Sequence, residues 1–150
     1  MSREAFRLVR DLGDDPAPWV EQVIGELGTP PVLVNNVGMM DGRPFLELPM
    51  AEVERSIRIM RVGTWALTRA VTLPMVEQQL PGCVVSNWSS HSRRVRMCPD
   101  YSACKAALRM LVNELVVELG PHGIRVSGVA WAVDTWSDYP TPVMRQELGG

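Results

Sequence analysis

Apolar positions along the chain recur in two rhythms, and the alternation between them predicts the elements of the fold. Trp19, Val20, Val23, Ile24 and Leu27 return at intervals of three and four, as on one face of a helix. Asp15 before Pro16 predicts its start, a capping carboxylate ahead of a proline at the first helical position, and Gly28 its end. Pro31-Val32-Leu33-Val34 is a short unbroken apolar run, as expected of a strand buried on both faces. Pro49 opens a longer helix with Val53, Ile57, Met60, Thr64, Leu67 and Val71 on one side, and Pro74 should kink or end it. A second buried strand is read over residues 83–88, after the Pro81-Gly82 turn, followed by a polar, basic loop over 89–97. Asp100 is placed to cap the next helix, whose face is Cys104, Ala107, Leu108, Leu111, Val112 and Leu115, and Gly120-Pro121 stops it. Residues 124–132 read as the last strand. Ala5, Leu8, Val9 and Leu12 fit either a short helical face or a strand, and residues 135–150 read as a loop or partial helix. Strands alternating with helices predict one α/β domain built on a small parallel sheet of about three or four strands with helices around it.

Composition narrows the function classes. With 46% apolar residues a real core is within reach, and 150 residues suit one domain. Fifteen basic against seventeen acidic side chains, with no basic stripe, argue against nucleic acid as a partner. No apolar run reaches the roughly 18 residues of a membrane span, and Met1-Ser2-Arg3-Glu4 leads into no signal-peptide core. Cys83, Cys98 and Cys104 form an odd set without a Cys-x-x-Cys spacing, which fits reduced thiols in a cytoplasmic protein, and His91 and His122 are too isolated for a metal site. Arg93-Arg94-Val95-Arg96 is either a solvated loop or a receiver for an anionic group.

The sharpest chemical signal is Tyr101 followed four residues later by Lys105. On a helix the two share a face, one turn apart. A free phenol titrates near 10, and an adjacent ammonium favours the phenolate, bringing proton exchange with a carbonyl or alcohol oxygen within reach of neutral pH. Ser90, at the end of the strand facing that helix, can hydrogen-bond the same oxygen.

The order of motifs resembles the short-chain dehydrogenase/reductase family. Asn35-Asn36-Val37-Gly38 is similar to its N-N-A-G turn, Gly63-Thr64-Trp65 with Leu73-Pro74 to its G-T-F…L-P helix, and Asn87-Trp88-Ser89-Ser90 to its N-I-S-S strand end. Tyr101-Ser102-Ala103-Cys104-Lys105 is similar to Y-S-A-S-K, and Gly123-Ile124-Arg125-Val126 to the entry into the sixth strand. Residues 31–130 carry the strongest likeness. The resemblance implies a Rossmann-like three-layer fold, here truncated, with Tyr101, Lys105 and Ser90 as the catalytic group. It also implies that Asp11 (at the adenine), Asn36 and Gly38 would touch NAD(P)H if a dinucleotide binds. The helices that begin at Pro49 and Asp100 resemble those that build the family's dimer interface, which implies a homodimer or larger assembly.

Departures from the family pattern shape the functional expectation. The glycine-rich T-G-x-x-x-G-x-G turn, which takes the pyrophosphate, has no counterpart in these residues. Met60 stands where the family has an asparagine supporting the lysine through water, and methionine donates no hydrogen bond. Trp131-Ala132 stands in place of a P-G step beside the nicotinamide, and the loop from Ser90 to Tyr101 is about two residues shorter than is usual in the family. Three readings follow. The first is a cofactor-independent enzyme using Tyr101, Lys105 and Ser90 for isomerisation, dehydration or cyclisation of a small organic substrate. The second is an NAD(P)-dependent carbonyl reductase whose missing half comes from a partner chain. The third is a non-catalytic subunit or scaffold. Ser89, Trp131, Trp136 and Tyr139 are the expected substrate-pocket residues, and the aromatic C-terminal segment points to an apolar or aromatic ligand.

Overall fold

A computed structural model of the chain describes residues 8, 10–93 and 97–130. Helix α1 (Ala17–Leu27) leads to strand β1 (Val32–Asn35), and helix α2 (Met50–Ile57) runs through a π-helical stretch (Arg58–Gly63) into α3 (Thr64–Glu77). Strand β2 (Gly82–Asn87) follows, then a 3-10 turn (Ser90–Ser92), the long helix α4 (Pro99–Leu119), a second 3-10 turn (Gly120–His122) and β3 (Ile124–Val129). The sheet is parallel in the order β1-β2-β3, with Val34 opposite Val85 and Val85 opposite Ser127. This is the expected α/β architecture, a three-stranded parallel sheet flanked by helices. The expectations for residues 5–7, 9, 94–96 and 131–150 lie outside the described residues, and residues 10–12 form no strand.

Sequential strand order with right-handed crossovers puts both connecting helices on one face of the sheet. Burial follows that geometry. Leu33 and Asn35 of β1, Val84 and Ser86 of β2 and Ile124 of β3 turn inward, and the core is closed by Val20, Val71, Met75 and Leu119. The alternate positions point the other way, so Val32 and Val34 are 54% and 61% exposed. The expectation that both faces of β1 are buried is therefore corrected. An apolar run fits a strand covered on one face or on two, and among the described residues one face of β1 carries no helix.

Two further expectations change. The helix begun at Pro49 is not continuous α-helix. Its π stretch adds residues per turn, so Ser56 takes the inward position and Ile57 turns partly out. Pro74 does not stop α3, which continues to Glu77, one turn later. The expected ends of α1 are observed in substance, with Asp15 Oδ1 accepting from Ala17 N–H at 3.0 Å and Gly28 closing the helix at φ 79°. Asp100, expected as a cap, sits one residue inside α4. Its Oδ2 accepts from Ser56 Oγ at 2.8 Å, so its carboxylate ties α4 to α2.

The π stretch also explains Gly63. A Cβ there would lie 2.1 Å from the carbonyl oxygen of Leu12, so only glycine lets the 11–14 turn pack against this joint. Gly63→Ala should lower the unfolding free energy by about 1–3 kcal/mol, the cost of overpacking. Gly25→Ala, in the interior of α1 with open space around it, should raise it by about 0.5–1 kcal/mol. Urea unfolding of the two variants beside the parent checks both signs.

Candidate active site

The C-terminal ends of parallel strands are where α/β folds place ligands, and here the first turn of α4 meets the ends of β1 and β2. Lys105 is 2% exposed, and its Nζ donates to the carbonyl oxygens of Val37, just past β1, and Asn87, at the end of β2, each at 2.6 Å. The same two strand ends are joined a second time by Asn87 Nδ2 donating to Asn36 Oδ1 at 2.9 Å. Lys105 Nζ lies 5.4 Å from the centroid of the Tyr101 ring. A Cβ built on Gly38 would stand 3.5 Å from Tyr101 Cε2, 3.9 Å from its hydroxyl and 4.0 Å from Lys105 Nζ. Phenol, ammonium and the glycine backbone thus converge on one point. A cavity of about 240 Å³ opens there, lined by Gly38, Met39, Met40 and Tyr101.

Burial is the main force on the lysine. Stripping water from the ammonium pushes Lys105 down to about 8, so at neutral pH it is still charged but can exchange its proton. No carboxylate is hydrogen-bonded to it among the described residues; the acceptors from Val37 and Asn87 are neutral carbonyls.

The other expected site residues fall into three groups. Ser90 begins the 3-10 turn after β2, and this turn packs against α4. Ser89 is buried with φ 65°, and its hydroxyl accepts from His91 N–H, so it shapes the turn. Asp11 stands outside the cluster, its Oδ1 accepting from Gly13 N–H at 2.8 Å in the turn docked on Gly63. Trp131, Trp136 and Tyr139 lie outside the described residues. Met60, at the family's asparagine position, is buried, and its Sδ accepts from Met39 N–H at 3.4 Å, fastening the Gly38–Met40 strip to the π stretch.

Sequence reasoning missed His91. It is buried, its ring stands edge-on to Tyr101 at 5.0 Å between centroids and 88° between planes, and its Nδ1 is 3.3 Å from Ser102 Oγ. The available signal was its place directly after Ser89-Ser90. The Ser56–Asp100 contact was also missed, because it depends on the register change in the π stretch.

The short chain dehydrogenase family model matches residues 8–137. The chain belongs to that family. It is 36% identical over 118 residues to D-erythrulose reductase of Gallus gallus, covering 77% of this chain and 48% of that protein. It is 34% identical over 136 residues to L-xylulose reductase of Homo sapiens, covering 85% and 55%. Among solved structures, 4-hydroxyisoleucine dehydrogenase complexed with NADH superposes with a TM-score of 0.76 at 27% identity, over 81% of this chain and 55% of that one. The chain therefore spans about half the length of the relatives it matches. No described helix is long and apolar enough to cross a membrane.

The residues present fit one end of a dinucleotide. Gly38 brings bare backbone against Tyr101 and Lys105, as a close-lying ring and ribose require, and the ammonium has three donors of which two are committed to carbonyls. The glycine-rich turn for the pyrophosphate is not among these residues.

Lys105 gives a pH prediction with a definite sign. Between about 8, its value in the fold, and about 10.4, its unfolded value, the unfolded chain holds a proton that the folded chain has released. Stability relative to a Lys105→Met variant should therefore rise with pH through that window and be flat below it. Denaturant unfolding of both proteins from pH 7 to 10.5 checks this; a difference independent of pH would contradict it.

Proposed function

We propose that this chain carries the proton-transfer half of an NAD(P)H-dependent carbonyl reductase. Tyr101 is its acid, Lys105 the group that stabilises the phenolate, and Ser90 a hydroxyl that orients the carbonyl. The observation that carries this reading is the convergence of the Tyr101 hydroxyl and Lys105 Nζ on Gly38 at the C-terminal ends of β1 and β2. Relatives such as D-erythrulose reductase and L-xylulose reductase support a carbonyl substrate, and a relative complexed with NADH supports the cofactor class. The cofactor-free alternative rests on the lack of a glycine-rich turn in these residues. Since the chain spans about half of its relatives, that lack does not favour it.

In this reading the Tyr101 hydroxyl gives its proton to the substrate oxygen as negative charge grows there. The phenolate left behind would face the charge of Lys105, whose Nζ lies 5.4 Å from the ring centroid and which offers fixed electrostatic stabilisation. Val37 and Asn87 hold the ammonium in place, so no reorganisation is needed at the moment of transfer. Gly38 and Lys105 would hold the ribose end of a nicotinamide cofactor and Asp11 the adenine end, and the cofactor would supply the hydride to the carbonyl carbon.

Tyr101→Phe removes only the phenolic hydroxyl and keeps the ring. It should lower NADPH-dependent ketone reduction by about 100-fold or more while leaving the unfolding midpoint and the nicotinamide fluorescence titration unchanged. Turnover that survives the substitution would overturn the reading.

We also propose that the protein is a homodimer joined through α3 and α4. Trp65 and Leu73 on α3, with Met110 and Val117 on α4, are apolar and exposed, and a groove of about 350 Å³ runs between the two helices beside Trp65 and Leu111. Trp65→Glu should halve the mass measured by light scattering; an unchanged mass would remove this face as the interface.

A further inference from the structure

Tyr101 lines one cavity, and His91, whose ring touches that of Tyr101, lines a second. The smaller, against Gly38, belongs to the reacting atoms. The larger, about 520 Å³, is bounded by the loop after β1, the 3-10 turn after β2 and the first turns of α4. Its size is within the roughly 300–1,000 Å³ typical of small-molecule sites. His91 lines it and at the same time touches the Tyr101 ring, so the cavity begins one imidazole away from the phenol.

The chemistry of the wall is one-sided. Phe45, Met97, Cys98 and Ala106 present carbon and sulfur, and Pro44 and Pro99 offer no N–H. Phe45 and Met97 are large, exposed apolar side chains at the rim, uncovered among the described residues. The polar members are largely committed. His91 Nδ1 and Ser102 Oγ are 3.3 Å apart and bond each other, and His91 N–H is taken by Ser89 Oγ. Ser92 Oγ is buried without a partner among the described residues, and Arg93 stands exposed at the edge.

A keto-sugar placed here would bring several hydroxyl groups out of water to a wall with about one hydroxyl to answer them, and each unanswered group weakens binding. An apolar skeleton would instead gain from every contact it makes with this wall. The arrangement that suits such a ligand runs its skeleton from the Tyr101 hydroxyl along the edge of His91 toward Phe45 and Met97.

We infer that this cavity holds the carbon skeleton of a hydrophobic aromatic or alicyclic ketone, and that the chain prefers such ketones over the sugars in its relatives' names. The inference rests on the reductase reading above and deepens it. His91 is then the specificity-determining residue that joins the apolar pocket to the proton donor.

The test is a binding measurement that does not depend on turnover. Acetophenone and L-xylulose are titrated separately into the protein with NADP+ present, which has no hydride to transfer, following the His91 ring and Met97 methyl resonances by NMR. Acetophenone should shift both sets and bind at least tenfold more tightly than L-xylulose. Ala106→Phe, filling the cavity from α4, should weaken acetophenone at least tenfold without altering the NADP+ titration. Phe45→Ser, a rim change far less demanding on folding, should weaken it several-fold. Tighter binding of L-xylulose, or acetophenone binding untouched by both variants, overturns the inference. The two readings fail differently: a sugar preference with Tyr101-dependent reduction intact removes only the pocket assignment. Ketone reduction that ignores Tyr101→Phe removes the reductase reading itself.

Discussion

One buried ammonium organises the end of the molecule where the candidate chemistry lies. Lys105 reaches from α4 to the backbone carbonyls of Val37 and Asn87, and so pins a helix to the ends of two strands. Taking an ammonium out of water is costly, and charge-assisted hydrogen bonds to well-placed carbonyls offset much of that cost. The remainder appears as the lowered value of about 8. A solvated lysine at this position would neither fix α4 against the sheet nor place a charge unscreened by water beside Tyr101. The same contact thus builds the fold locally and sets up the electrostatics.

The surroundings of that contact are polar where the core is not. At the C-terminal end of β1, Asn35 Nδ2 donates to Thr68 Oγ1 at 2.9 Å and reaches Ser86 Oγ at 3.4 Å, and Thr68 Oγ1 donates to the carbonyl of Thr64 at 2.7 Å. One turn further along α3, Val71 and Met75 close a wholly apolar core with Val84 and Ile124. Such hydrogen-bonded interiors fix a single register where apolar packing alone would tolerate alternatives. The π stretch serves the same end. It turns Ser56 toward Asp100 and Met60 toward Met39, so α4's first turn and the Gly38 strip are both held by the joint between α2 and α3.

Much of this was legible in the sequence. Short apolar runs around Val34, Val84 and Val126 gave the strands, the spacing of four from Cys104 to Leu108 to Val112 gave α4, and the Tyr101–Lys105 spacing put the acid–base pair on one face. Other features depend on tertiary context that periodicity does not carry. An apolar run does not say whether a helix covers one face of a strand or two, so Val32 and Val34 were misplaced. A regular helical period cannot show a π turn, so Ile57 was assigned to the inward face that Ser56 takes. His91 next to Tyr101 follows from how the turn after Ser89 folds back on α4, a contact between neighbours in space that spacing along the chain does not reveal.

The central claim is that Lys105 is a buried, carbonyl-bound ammonium whose proton is loosened by desolvation while it faces Tyr101. The most direct measurement is the titration of the Lys105 side chain itself, by NMR of its ε-carbon in protein carrying labelled lysine. The account predicts a midpoint near 8, well separated from solvent-exposed lysine. A midpoint at the ordinary value of about 10.4 would mean that the ammonium is hydrated, and would contradict the burial on which the candidate site depends.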